Sequence, residues 1–326
     1  MRLSFPIVLA ALTSGQLSAQ ALERFEFSEP HMGTTFRIVL YAADPVLAGD
    51  GAAAAFTLIS RLDSLFSDYR TDSEVSLLTS QPNPGELIPI STELWSLLRV
   101  AQDWSRKTDG AFDVTIGPLS KLWRWSVRRA ELPDGARVAA ARDRVGYQFL
   151  CVDPNVAAVR FLREGMALDL GGIAKGFAAD AAVADLAGRG ILSAMVDAGG
   201  DIAVGEAPPG ETGWRIALPQ SQAGTLVLAN VGVATSGDTY QWMEVDGVRY
   251  SHIIDPGTGL GVREAPIVVT IAADATSADV LASSLTVMGR REGLAFIRAI
   301  PGVAALVSGL GGFETENFPQ RPGGYR

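Results

Sequence analysis

The chain has 326 residues, of which 48% are hydrophobic and 19% charged, with a formal net charge of −9. That balance describes a globular chain with a large core and excludes a disordered one, and the negative charge argues against nucleic acid or an anionic membrane surface as a partner. A single cysteine, Cys151, excludes an intrachain disulfide and a thiolate cluster, and two histidines, His31 and His252, exclude a three-histidine metal site.

Any divalent ion would therefore rely largely on oxygen ligands, which favours magnesium or calcium. Residues 1–21 read as a signal peptide. Arg2 supplies the positive start, Phe5 to Leu12 a short apolar run, and Ala19-Gln20-Ala21 small residues at the cleavage spacing. The run is too short to span a bilayer. The expected location is outside the cytoplasm, periplasmic or associated with the outer side of the cytoplasmic membrane. Residues 22–326 are expected to form one large domain or two intimate subdomains.

Arg24 to Tyr41 alternates as a hairpin, and residues 51–66 read as an amphipathic helix. Ser67 to Glu74 is polar and carries Tyr69, a ring able to stack on a planar ligand. Its structural reading is a capped connection to a helix from Glu74 to Leu78. Ser91 caps a helix from Thr92 to Lys107, which ends at Thr108-Asp109-Gly110. The run Ala111-Phe112-Asp113 follows, then Trp123 and Trp125 among several arginines. Asp134 to Val145 is a polar helix-and-loop stretch. Tyr147 to Val152 and Val156 to Leu162 read as strands, with Cys151 as a buried core thiol.

Met166 to Leu170 reads as a strand leading into the glycine turn Gly171-Gly172 and a helix up to Gly188. Ile173, Phe177, Ala181, Ala184 and Leu186 would form much of one helix face. A helix N-terminus with Lys175 in its first turn suits an anionic ligand. Further strands are expected at Ala194 to Val196, Gly213 to Leu218 and Gly224 to Val231. Val233 to Asp238 reads as a small-residue loop. A strand ending at His252-Ile253-Ile254-Asp255 runs into a Pro-Gly turn. A strand at Ile267 to Ala272, helices at Asp274 to Gly289 and Glu292 to Ala299, and a strand at Val303 to Val307 complete the chain. Helices and strands mix without βαβ alternation, which points to an α+β fold.

The polar groupings are Asp169 with Lys175, His252 with Asp255, and Asp279 with Ser283. A further group, Met32, Tyr69 and Phe112, offers an apolar stacking wall. Asp279 and Ser283 are one helical turn apart, so both can ligate one hard cation. Each grouping also has an ordinary structural reading. Asp279 could simply favour a helix dipole, and His252 could be a satisfied core histidine.

In chain order the motifs are HMGTTF, the Tyr69 segment with Ser73-Glu74-Val75, TDGAFDVTIGPL, LDLGGIAKGFAADAA, VDAGGDI, VATSGDTYQ, YSHIIDPGTG and ATSADVLASSLTVMG. Together they resemble the ApbE family, the FAD:protein FMN transferases, over roughly residues 25–310. The resemblance implies a T-fold-like architecture of largely antiparallel mixed sheets flanked by helices. It implies Mg-dependent transfer of FMN from FAD to a threonine or serine of an acceptor protein, with release of AMP. FAD would be the substrate, and the acceptor an exported or membrane redox subunit. The alternatives are a periplasmic Mg-dependent FAD pyrophosphatase and a non-catalytic FAD-binding protein. Carried over, the flavin site comprises Met32, Tyr69, Ala111, Phe112, Asp113, Asp169, Lys175 and Ile253. The metal ligands are the Gly172 carbonyl, Asp279 and Ser283, where the family usually has threonine in place of Ser283. His252 would be the general base, assisted by Asp255.

Overall fold

The computed structural model describes residues 21–80, 83–219, 224–237, 242–309 and 312–320. The expected signal peptide lies almost wholly outside them. The described chain opens with the expected hairpin, β1 (Glu23–His31) and β2 (Thr34–Ala42). Helix α1 (Pro45–Phe66) begins earlier than residue 51, because Asp44 accepts from the Val46 and Leu47 amides at 2.9 Å and Pro45 suits the first turn. Helix α2 (Glu74–Ser80), the short strand β3 (Ile88–Pro89) and α3 (Thr92–Lys107) follow. Ser91 caps α3 as its sequence indicates.

Helix α4 (Gly117–Arg129) fills the tryptophan- and arginine-rich region, and α5 (Gly135–Arg142) is capped by Asp134. The two strands expected next are shorter, β4 (Leu150–Val152) and β5 (Ala158–Phe161). Tyr147 to Phe149 form a 3-10 turn instead, because the Asp113 carboxylate and the Gln102 amide bind the Tyr147 backbone. In β4 Leu150 points inward and Cys151 outward, so Cys151 is exposed rather than a core thiol. Met166 to Leu170 is extended but is not a sheet strand. It lies against the 113–117 loop through an Ile116–Ala167 bridge and an Asp169 N–H donated to the Val114 carbonyl at 2.8 Å.

Helix α6 (Ala174–Gly188) is buried through Ala178, Ala179, Ala182 and Leu186. The expected face is displaced: Phe177 and Ala181 are half-buried and Ala184 is exposed. Strands β6 (Ala194–Ala198), β7 (Asp201–Val204), β8 (Trp214–Ala217), β9 (Thr225–Leu228) and β10 (Val231–Ser236) come next. Val233 to Ser236 is thus strand, not loop. Its small residues let the start of α7 pack directly on β10, where a side chain at Gly232 would collide with the Ala275 backbone. Strands β11 (Trp242–Val245), β12 (Val248–Asp255), β13 (Leu260–Arg263) and β14 (Val268–Ala272) precede α7 (Ala275–Arg298). Gly289 breaks α7 with φ +67°, at the point where the sequence divides two helices. Strands β15 (Ala304–Val307) and β16 (Phe313–Glu314) end the described fold.

Eight strands form one antiparallel sheet in the order β1-β2-β6-β7-β10-β14-β15-β16. Its side chains alternate between two cores. Phe36, Ile38, Leu40, Val196 and Ala305 pack with α1, α6 and α7, while Val39, Met195, Ile271 and Leu306 pack with Trp214 and Ile216 of the β8–β9 hairpin. Burial on both faces fixes the register, since a one-residue slip would exchange the two cores. A smaller sheet, β11-β12-β13, packs Met243 and Tyr250 on Trp123 of α4.

Helices α6 and α7 are tied at the start of α7 by a side chain of α6. The Asp180 carboxylate accepts from the Ala275 and Thr276 amides at 2.8 Å and from the Thr276 hydroxyl at 2.5 Å. Replacing it by asparagine leaves one acceptor oxygen for three donors. Asp180→Asn is expected to lower stability by about 1–3 kcal/mol, read by urea unfolding; an unchanged midpoint would contradict this junction.

Candidate functional site

The glycine turn delivers the chain into α6 with no side-chain cap at Ile173; the Ala174 amide bonds the Leu170 carbonyl at 2.9 Å, and the Lys175 and Gly176 amides are left for other partners. One of them, Gly176 N–H, donates to Asp279 Oδ2 of α7 at 3.3 Å. This is possible because the two helices cross in backbone contact; a Cβ on Gly176 would overlap the Ala275 carbonyl. Asp279 is only 5% exposed. Burial pushes its carboxyl pKa up, and the nearby Lys175 cation opposes that shift. Lys175 itself forms an ion pair with Asp201 at the start of β7.

Ser283 follows Asp279 by one turn on the same side of α7. The Ser284 and Thr286 hydroxyls bond back to carbonyls four residues earlier, but Ser283 Oγ has no hydrogen-bond partner among the described residues. It faces the glycine turn: a Cβ on Gly172 would stand 3.3 Å from Ser283 Oγ and 3.5 Å from the Phe112 ring. A buried carboxylate, a hydroxyl with no protein partner and a glycine-turn backbone therefore converge beside a lysine. This is an oxygen donor set of the kind that suits a hard divalent cation.

A second cluster adjoins this one through Asp169, whose Oδ1 accepts from Gly171 N–H at 2.9 Å and whose Oδ2 meets Arg124 at 3.2 Å. Arg124 also pairs with Asp68 at 2.5 Å, and its guanidinium lies 4.0 Å from the centre of the Tyr69 ring. Burial and the neighbouring Asp169 charge push the Asp68 carboxyl up, with Arg124 opposing. Tyr69 is 77% exposed. One ring face is thus held by Arg124 while much of the ring remains open for stacking.

The other expected site residues divide by position. Met32 stands in the two-residue β1–β2 turn with φ +48°, a left-handed conformation that is uncommon for a long side chain. Its amide donates to Asp63 Oδ2 at 3.1 Å, which anchors the turn against the end of α1. Phe112 borders the glycine turn but is packed into the core, 7% exposed, so it backs the site rather than offering an open ring face. The Asp113 carboxylate is turned inward, accepting from Thr115 N–H, Thr115 Oγ1 and Tyr147 N–H at 2.7–2.8 Å. It shapes the loop, so ligand contacts from Ala111 to Asp113 would fall to the backbone and the edge of the Phe112 ring. His252 and Ile253 lie on β12, whose sheet packs against α4 and α7, the helices that carry Arg124 and Asp279. His252 is exposed. Asp255 Oδ1 accepts from Gly257 N–H at 2.8 Å and so builds the tight turn after β12.

The ApbE family profile matches residues 32–307. The chain belongs to the ApbE family. An FAD:protein FMN transferase from Vibrio cholerae is 34% identical, over 89% of this chain and 90% of that one. One from Treponema pallidum is 32% identical, over 87% and 84%. The crystal structure of the ApbE protein of Thermotoga maritima matches with a TM-score of 0.81 at 31% identity, over 90% and 96% of the two chains. The flavinyl transferase ApbE of Pseudomonas stutzeri, in its apo form, gives 0.78 at 31% identity, over 91% and 96%. The α+β fold with antiparallel sheets agrees with these ApbE structures.

Three residues of this ApbE-family site escape the sequence reading. Asp68 stands beside Tyr69, and Asp201 lies within the VDAGGDI motif, so both had local signals. Arg124 went unrecognised because its helix, marked only by Pro118 in its first turn, was not foreseen. Arg124 separates two carboxylates that would otherwise repel. Arg124→Ala is expected to cost about 1–3 kcal/mol at neutral pH, below the range for a fully buried pair because the group is partly exposed. Without the cation Asp68 holds its proton to still higher pH, so the loss should shrink as pH falls and one carboxyl is neutralised. Unfolding of both proteins across the acidic range tests this; a loss that stays constant or grows toward acid would contradict it.

Proposed function

We propose that the chain transfers the FMN half of FAD to a hydroxyl of a protein acceptor and releases AMP. The observation that carries this reading is the convergence of Lys175, Asp279, Ser283 and Gly172 at the uncapped start of α6, next to the Tyr69–Arg124 platform, in a chain whose relatives are named for this activity. Stacking on Tyr69 would hold the isoalloxazine ring, with Met32 and Ile253 completing its apolar surround and the edge of the largely buried Phe112 ring behind it. The Lys175 ammonium and the Lys175 amide would hold the pyrophosphate at the start of α6. We assign Asp279, Ser283 and the Gly172 carbonyl as ligands of Mg2+, a role that fits the hydroxyl without a protein partner and the buried carboxylate. When bound there, the ion supplies charge neutralisation to the pyrophosphate.

The acceptor hydroxyl attacks the phosphorus of the FMN half. The new bond joins acceptor oxygen to that phosphorus, the pyrophosphate bond breaks, and AMP leaves. His252 takes the hydroxyl proton, a task that suits an exposed imidazole, while Asp255 fixes the turn that follows it. Positioning and electrostatics supply most of the rate in phosphoryl transfer, and these residues provide both. The acceptor in this reading is an exported or membrane redox subunit, in line with the signal peptide read at residues 1–21.

The test is to express the full-length chain, recover it from the periplasmic extract, and incubate it with FAD, Mg2+ and a threonine-containing acceptor domain from a flavinylated membrane subunit. AMP and an FMN-sized mass gain on the acceptor are expected. His252→Asn should abolish the adduct with FAD affinity nearly unchanged, and Asp279→Ala should abolish Mg-dependent AMP release. AMP with free FMN and no adduct would favour a pyrophosphatase, and binding without products a flavin carrier. Full activity of either variant would overturn its residue's role, and recovery only from the cytoplasm would overturn export.

A further inference from the structure

On α4, Lys121, Trp125 and Arg128 form one stripe, and Arg124 stands on its flank. The stripe faces Arg137 and Arg144 from α5 and the residue that follows it closely, across a groove of about 990 Å³. That is the upper end of the range for small-molecule clefts, about 300–1,000 Å³, and gives room for several peptide residues. The groove carries four cations, Lys121, Arg128, Arg137 and Arg144, and one carboxylate, Glu164. Elsewhere Arg24, Arg61, Arg70, Lys107, Lys175 and Arg189 sit in ion pairs, while Arg99, Arg129 and Arg163 lie over aromatic rings. Among the described residues none of the four groove cations has a carboxylate partner. In a chain of net charge −9 this is a local concentration of positive charge.

The groove is also built. Trp125 is held by Arg129 at 4.6 Å and Arg137 at 4.0 Å from its ring centre, which fixes an aromatic wall between the cations. Its floor is Met166 and Ala167, and the same extended segment reaches Asp169 two residues later. The groove and the Tyr69–Arg124–Asp169 cluster therefore share both a helix and a floor. A chain lying in the groove would end beside the platform that we assign to the flavin.

We propose that this groove docks an acidic segment of the protein acceptor and so brings its hydroxyl to the site. The proposal rests on the transferase reading. A concave groove with an aromatic wall fits an extended peptide better than the flat array of phosphates on a membrane, and the overall negative charge disfavours an extended polyanion. The attraction is local, since groove charges are screened beyond about 10 Å at 0.1 M salt.

The probe is a fluorescent peptide of alternating Asp, Glu and Gly around one Thr, followed by anisotropy. The double variant Arg128→Glu, Arg144→Glu should weaken its binding by about tenfold or more. Its KM for the acceptor domain should rise similarly, with FAD affinity and kcat unchanged. The pair Arg128→Lys, Arg144→Lys should retain binding and a salt dependence like that of the wild type. Undiminished peptide binding and KM in the Glu variant would overturn the proposal. So would loss of binding only to vesicles of anionic phospholipid, with the peptide unaffected. A wild-type chain that binds the peptide but transfers no FMN would refute the transferase reading, and the docking role with it.

Discussion

Where α6 crosses α7 the two backbones meet so closely that Gly176 has no room for a side chain, and the Asp279 carboxylate reaches the Gly176 amide. Much of the site depends on that crossing. It brings a buried carboxylate and a serine hydroxyl from α7 to the glycine turn and the first-turn lysine of α6. The Asp180 carboxylate ties the start of α7 to the same helix from below, and the small side chains of β10 let α7 sit down on the sheet. The eight-stranded sheet acts as the plate on which this crossing is set, with its two alternating cores holding the register.

Charge in the site is arranged locally. A chain of net charge −9 has no overall field to attract a dinucleotide. Each cation at the site is instead held in place by carboxylates, Lys175 by Asp201 and Arg124 by Asp68 and Asp169. These pairs orient the cations toward the glycine turn and beneath Tyr69. Met32 adds a different kind of constraint, a left-handed backbone at a bulky residue anchored by Asp63. Backbone outliers of this kind cluster at functional sites because the surrounding structure must hold them.

The parts legible in the sequence are those with strong local signals. Ser91 marks the start of α3, alternation marks the β1–β2 hairpin, and Gly289 marks the break in α7. The i, i+4 spacing of Asp279 and Ser283 and the glycine turn gave the core of the candidate site. What was missed depends on packing between distant segments. Helix α4 has Ile116 at its N-cap with no side-chain cap, so Pro118 in its first turn was its one start signal, and Arg124 was missed with the helix. Met166 to Leu170 has the composition of a strand but finds only the 113–117 loop beside it. Cys151 sits in an apolar run, yet the alternation of β4 turns it outward.

The most direct measurement of the crossing's role is the Gly176→Ala variant, compared with wild type for FAD binding and Mg-dependent AMP release. The added methyl must push α7 away from α6, and overpacking of this kind costs about 1–3 kcal/mol. The account predicts a folded protein, with a wild-type-like circular dichroism spectrum, that binds FAD weakly and releases little AMP even at high Mg2+. A Gly176→Ala protein with wild-type turnover and the same Mg2+ dependence would show that the site does not rest on this contact.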